Sequence, residues 1–102
     1  MPQTNQPVVI NGATIVGQGT QNVLNITTAT VVKATKGRIG KVIVNTAGST
    51  VGTVSDSATT ASAANLIYNI PDTVGIYDLN FPCATGILIT PGTGQVLSVS
   101  YN

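Results

Sequence analysis

Side chains branched at Cβ dominate this chain and limit what it can fold into. Val, Ile and Thr contribute 13, 10 and 16 residues, or 39 of 102. Such side chains are stiff at χ1 and fit a pleated, half-buried surface better than a helix. Gly, Pro and Asn interrupt the apolar runs at short intervals, a spacing typical of short strands joined by tight turns. We therefore expect an all-β chain.

These interruptions divide the chain into about eight short strands. The clearest local signal is Asn11-Gly12 between two apolar runs, which favours a type I′ hairpin over residues 8–16. A second hairpin is expected between residues 31–35 and 41–45. The remaining predicted strands are 21–26, 50–56, 65–70, 75–81, 86–90 and 95–101. The pattern predicts a single antiparallel β-sandwich, jelly-roll-like, or a barrel, formed by residues 21–102 and preceded by an extended N-terminal arm or hairpin, residues 1–20.

Missing residue types exclude much of catalytic chemistry. The chain has no His, no Glu and a single Cys, so it cannot form a Ser-His-Asp or Cys-His arrangement or a Cys/His zinc site. We expect no enzymatic activity, no cofactor and no metal. Cys83 is interpreted as a small buried hydrophobe rather than a nucleophile. Asp56, Asp72 and Asp78 are interpreted as turn and strand-end residues rather than a catalytic carboxylate pair.

The four cations are clustered. Nine consecutive residues contain all four: Lys33, Lys36, Arg38 and Lys41. On the expected hairpin they would concentrate positive charge at one tip. Three interpretations stay open: a solvated turn that discourages edge pairing, contact with an acidic protein surface, or contact with nucleic acid. Nucleic acid is the weakest of the three, because no aromatic residue is interleaved and the net charge is only +1.

The scarcity of charge elsewhere bears on association. Charged residues make up 7% of the chain, against about 25% in an average soluble domain. A near-neutral β surface rich in Thr suits a permanent assembly, in which other subunits or a scaffold cover its faces. The polar N-terminus and the lack of an apolar run of about 20 residues predict a cytoplasmic product that does not insert into a membrane.

Several stretches resemble small virion structural proteins of tailed bacteriophages. They are KGRIGKV at 36–42, GTVSD at 52–56, VGIYDLNFPCATGI at 74–87 and PGTGQ at 91–95. The similarity covers about residues 31–101 and consists of turn glycines and apolar strand positions. It implies a β-sandwich that decorates or cements a capsid shell, often as a homotrimer. Modules of this kind also occur in head fibres and tail parts, so the position on the virion stays open.

The resulting hypothesis is a non-enzymatic virion protein, made in the host bacterial cytoplasm, that binds the major capsid protein or another virion protein. The residues expected to contact the partner are Val8, Val9, Ile10, Ile15 and Val16 in the arm and Lys36, Arg38 and Lys41 in the basic cluster. The alternative is a tail or fibre component that contacts a host receptor or carbohydrate, on which Tyr68, Tyr77 or Tyr101 could stack.

Overall fold

The structure, a computed structural model, describes residues 19–102. The predicted hairpin at 8–16 and nearly all of the predicted arm lie outside the described residues. The strands are β1 Gln21–Ile26, β2 Thr30–Lys33, β3 Gly37–Thr46, β4 Gly52–Ser55, β5 Leu66–Ile70, β6 Gly75–Cys83, β7 Ile87–Thr90 and β8 Val96–Tyr101. Helical structure in this part of the chain is limited to a 3₁₀ turn, Ala63–Asn65. The prediction of an all-β chain is confirmed.

The eight strands form two four-stranded antiparallel sheets. One has the order β1-β8-β3-β6 and the other β2-β7-β4-β5. The first strand therefore pairs with the last, β2 with β7, β3 with β6, and β4 with β5. A long hairpin of four strand pairs, rolled so that alternate pairs fall in opposite sheets, is a double-sheet jelly roll. The sheets stay unclosed, so the sandwich prediction is confirmed and the barrel alternative is not adopted.

The core lies between the two sheets. The central strand β3 contributes Ile39, Val42 and Val44, which are fully buried and alternate along the strand after a bulge. The other sheet supplies Ile87 and Ile89 from β7. The buried cluster also contains Val54, Ile70, Leu97, Val99, Ile26 and Cys83. Branched aliphatic side chains thus fill the space between the sheets, as the composition predicts.

The predicted hairpin between residues 31–35 and 41–45 is wrong. β2 pairs with β7, whereas β3 pairs with β6 on one side and β8 on the other. Both edges of β3 are therefore occupied, and residues 34–36 carry the chain from one sheet to the other. The expected hairpin does not form because β3 gains more by lying between β6 and β8 than by pairing with a four-residue strand.

Each sheet ends in two edge strands, and β5 and β6 lie at the same side of the sandwich. Non-glycine residues with positive φ occur in the two edge strands of one sheet: Asn25 in β1 (φ 57°) and Asn80 in β6 (φ 46°). Register shifts accompany both of them. Bulges of this kind twist an edge and interrupt its pairing potential locally. The edge of β6 is interrupted at Asn80 and Pro82, and its first five residues lie before that interruption.

Candidate functional site

An apolar groove of about 440 Å³ lies between the edge strands β5 and β6. Its lining residues are Ile67 and Tyr68 from β5 and Ile76, Tyr77, Asp78, Leu79 and Phe81 from β6. Three of the four aromatic residues in the chain are in this set. Aromatic side chains are enriched in the buried centres of interfaces, where their area contributes strongly to binding. The groove is therefore the candidate site.

The groove forms because β6 directs core-type side chains inward without a neighbouring strand to cover them. Tyr77 and Phe81 pair across β3 with Val42 and Ile39, which are fully buried. Cross-strand partners share a face of the sheet, so both aromatic side chains lie on the inner face of the sheet. Phe81 nevertheless remains 49% exposed. The jelly roll leaves a partly open flank along this edge.

Exposed aliphatic side chains occur at the start of β6. Val74 is 62% exposed and Ile76 is 67% exposed. The Tyr77 hydroxyl donates a hydrogen bond to the Thr73 carbonyl oxygen at 3.0 Å, so this polar group is already satisfied. Asp78 forms an ion pair with Lys41 across the strands, with 3.5 Å between Nζ and Oδ2. Exposed aliphatic side chains beside an open strand edge suit a protein surface better than a small polar ligand.

The sequence located only part of this site. It singled out Tyr68, Tyr77 and Tyr101 as exposed rings, and the structure brings the first two together. Tyr101 lies on β8, paired with Gln21 and Ile39. Phe81 was missed as a site residue because its role depends on β6 being an edge strand, which the sequence pattern does not reveal.

Three of the four clustered cations are engaged within the domain. Lys33 Nζ donates to the Asn102 carbonyl oxygen at 3.3 Å, and Arg38 donates to the Asn80 carbonyl oxygen at 2.9 Å. Lys41 forms the ion pair with Asp78. Within the described part of the chain Lys36 has no such partner, and it borders a second depression with Arg38. The cluster is thus spread along β2 and β3 and does not form the tip of a hairpin.

Asp56 ties the end of β4 to the turn between β6 and β7. Its carboxylate accepts hydrogen bonds from the backbone N–H groups of Ala84 at 2.9 Å, Thr85 at 2.7 Å and Gly86 at 3.2 Å. These bonds, led by the one from Ala84, hold the pKa of Asp56 below its ordinary value of 3.8. The residue therefore acts as a structural anchor, and its oxygens are already occupied.

The thiol of Cys83 is buried next to this turn. Desolvation, aided by the negative charge of Asp56, raises the pKa of Cys83 to about 11. A thiol with so high a pKa stays protonated at neutral pH and is a poor nucleophile. The interpretation of Cys83 as a small buried hydrophobe is confirmed.

The Asp56 anchor predicts a specific loss of stability in acid. Because its pKa is lowered on folding, its contribution is fully present above the unfolded-state pKa of about 4 and is lost as the pH falls through the folded-state value. We expect Asp56→Asn to lower the free energy of unfolding by about 1–2 kcal/mol at pH 7. Urea unfolding of both proteins should show this difference shrinking between about pH 5 and pH 2. A difference independent of pH would contradict the anchor.

The arm residues that the sequence places in the partner-binding set, Val8, Val9, Ile10, Ile15 and Val16, lie outside the described residues. Over residues 19–102 no helix is long and apolar enough to cross a membrane. The same residues contain no cluster of three or more Cys, Asp or Glu side chains that could hold a metal ion.

No protein-family model matches the chain, and no curated protein or solved structure shows significant similarity to it.

Proposed function

We propose that this chain is a non-enzymatic virion structural protein that binds and stabilises a bacteriophage capsid shell through contacts between β-rich protein surfaces. The observation that carries the proposal is an apolar, open strand edge on a jelly roll with only seven charged residues in 102. The surface of a small domain with this composition is better suited to burial in a protein assembly than to exposure to solvent.

The fold and the sequence resemblance support the same conclusion from different directions. Double-sheet jelly rolls are common in viral capsid and lectin domains. Fold alone is an analogy and does not define a function. The resemblance of residues 31–101 to small phage virion proteins makes the capsid the favoured setting, with the major capsid protein or another virion protein as partner and a homotrimer as the expected assembly.

A second candidate is favoured by the clustered rings of Tyr68, Tyr77 and Phe81. A tail or fibre component could stack these rings on the sugars of a host receptor, and jelly rolls serve as lectins. The exposed aliphatic side chains of Val74 and Ile76 weigh against it, because they offer a sugar no hydrogen bonds. The capsid function is therefore proposed first.

Labelling of intact particles tests the proposal. Phage particles produced by the genome that encodes this chain should carry it, and gold-labelled antibodies viewed by electron microscopy should decorate the head at many evenly distributed points. Label confined to the tail or fibres would favour the receptor-binding alternative. Purified particles that lack the chain by mass spectrometry would contradict both virion roles.

The same account predicts that the purified protein self-associates. A surface with few charges and with exposed Val74 and Ile76 favours association, and the expected species is a trimer. Light scattering coupled to size-exclusion chromatography should give a mass near three times 10.3 kDa. A mass of 10.3 kDa over the accessible concentration range would contradict self-association in the absence of a shell.

A further inference from the structure

We propose that the first half of the β6 edge, residues 75–79, pairs with one arm of the predicted hairpin at residues 8–16 of a second copy of this chain, which adds a β-strand to the sheet. The inference goes beyond binding to a shell, because it concerns contacts between copies of the free protein. Its basis is the geometry of one strand edge, the apolar groove beside it, and the length and composition of the chain that precedes Gly19.

The edge offers backbone groups for pairing. β6 has β3 on one side only, so its other side presents N–H and C=O groups in the manner of an open template. The bulge at Asn80 and the missing N–H of Pro82 protect the far half of the strand. The near half, 75–79, precedes both of these features and spans about 17 Å. That length matches one arm of a short hairpin.

The other edges are less receptive. β1 contains the bulge at Asn25, and β2 has four residues and ends in Lys33. β5 has five residues, and Pro71 follows it immediately. Proline, lysine and bulges are the devices by which proteins discourage edge pairing. Of the four edge strands in the described fold, the near half of β6 has the fewest of these prolines, lysines and bulges.

Charge argues against β6 of a second copy as the occupant. A symmetric pairing of two β6 edges would bring Asp78 of one copy close to Asp78 of the other. Like charges placed near each other across a strand pair are destabilising. Residues 1–18 contain no Asp, Glu, Lys or Arg. The segment 8–16, with branched aliphatic residues on both sides of Asn11-Gly12, is therefore the better partner.

The distance between β1 and β6 argues against pairing with the arm of the same copy. Gly19 lies beside Tyr101, at the edge of the sheet opposite to β6. β1 and β6 are separated by three strand spacings, about 14 Å, and Gly75 lies at the far end of the strand rows from Gln21. Three residues from Gly19 to Val16 span at most about 11 Å. Residues near Val16 therefore cannot reach the β6 edge of their own copy, whereas those of a neighbouring copy can.

An added strand would also close the groove. Alternate side chains of a strand point to opposite faces, so every second residue of the incoming segment would cover the inward-facing rings of Tyr77 and Phe81. Valine and isoleucine at those positions would bury apolar area that the isolated domain leaves open. Main-chain pairing and side-chain burial therefore act together, as in β-augmentation of other sheet edges.

Crosslinking between singly substituted chains tests the proposal. Full-length protein carrying Ile15→Cys is mixed with full-length protein carrying Ile76→Cys, and a short bismaleimide is added. Cys83 is 2% exposed and should not react. We expect a crosslinked dimer in the mixture and little in either protein alone. Crosslinking of Ile76→Cys alone, to the same extent as in the mixture, would show pairing between two β6 edges and overturn the proposal. Absence of a crosslink in the mixture would also overturn it.

Matched variants supply a second readout that does not depend on cysteine geometry. Ile76 and Leu24 are 67% and 66% exposed and lie on opposite edges of the same sheet. Ile76→Lys should weaken self-association by about tenfold or more, as expected at the centre of an interface. Leu24→Lys should change it less than about twofold, which is a small effect at a rim or free surface. Equal effects of the two variants in sedimentation equilibrium would overturn the proposal.

Arm variants complete the test. Ile10→Asp should weaken self-association as strongly as Ile76→Lys, because it places a charge within the pairing segment. Thr4→Asp adds the same charge outside the segment and should leave association unchanged. All four variants alter sites that are exposed or lie outside residues 19–102, and circular dichroism should show an unchanged fold. A free protein that associates normally with Ile10→Asp would contradict the proposal even if the chain decorates shells.

Discussion

Gly92→Ala should destabilise this protein severely, lowering the free energy of unfolding by at least about 3 kcal/mol. A Cβ at position 92 would overlap the backbone carbonyl oxygen of Thr50. The neighbouring backbone is held in place on both sides. Gly92 N–H donates to the buried Gln95 Oε1 at 2.9 Å, and Thr93 N–H donates to Thr50 Oγ1 at 2.8 Å. The turn cannot move away without losing these hydrogen bonds.

Gly94→Ala is the matched control for this prediction. Gly94 lies two residues away in the same turn, and a Cβ there would meet no atom within 4 Å. Its φ of 77° costs a side chain about 1 kcal/mol. Thermal unfolding should therefore show a midpoint lowered by roughly 15 °C for Gly92→Ala and by about 5 °C for Gly94→Ala. Equal shifts would contradict the close approach of the two loops.

Removal of residues 1–18 should abolish stable decoration of shells. Under the proposal, this uncharged segment adds a strand to a neighbouring sheet edge and contributes main-chain hydrogen bonds there. Its loss should increase the dissociation rate rather than slow encounter. The deletion leaves Gly19 and Thr20 in place, and Thr20 N–H donates to the Tyr101 carbonyl oxygen at 3.0 Å. Circular dichroism of the deleted protein should show an intact β fold.

Lys36→Ala is the control for the arm deletion. Lys36 is the one cation without a hydrogen bond or ion pair among the described residues, so its replacement breaks neither kind of interaction. If it faces an acidic partner surface, the variant should bind shells more slowly at low salt and normally at high salt, since exposed charges act mainly on encounter. Binding of the deleted protein as tight as that of wild type would contradict a role for the arm.

Structural features that depend on neighbouring residues in the chain, such as strand boundaries, could be predicted from the sequence. The strand at 21–26 is bounded by glycines before it and by a polar turn after it, and β1 has those bounds. The side chains of residues 75–81 alternate between apolar and mixed positions in the sequence, as expected of a strand with one buried face. A glycine within a predicted strand, such as Gly52, indicates a bulge or a close backbone approach, and a Cβ there would meet Gln95 Oε1 at 2.6 Å.

Features set by distant pairings could not be predicted. The hairpin assigned to β2 and β3 was wrong because the two strands pair with partners more than 30 residues away in sequence. The candidate groove depends on β5 and β6 both being edge strands at the same side of the sandwich. Pro82 marks an edge or a bulge in β6, but no residue within β5 marks its position, and Tyr68 and Phe81 resemble ordinary core residues in the sequence. Edge position follows from the order of strands in the sheets, which only the folded chain displays.

Binding of the purified protein to undecorated shells is the most direct test of the central claim. Shells are assembled from the major capsid protein of the genome that encodes this chain, in the absence of this chain, and the purified protein is then added. We expect it to co-sediment with the shells, to saturate at a fixed number of copies per capsomer, and to appear as discrete density on the outer surface in electron cryomicroscopy. Failure to co-sediment, or binding that does not saturate, would contradict the proposal that this protein cements a capsid.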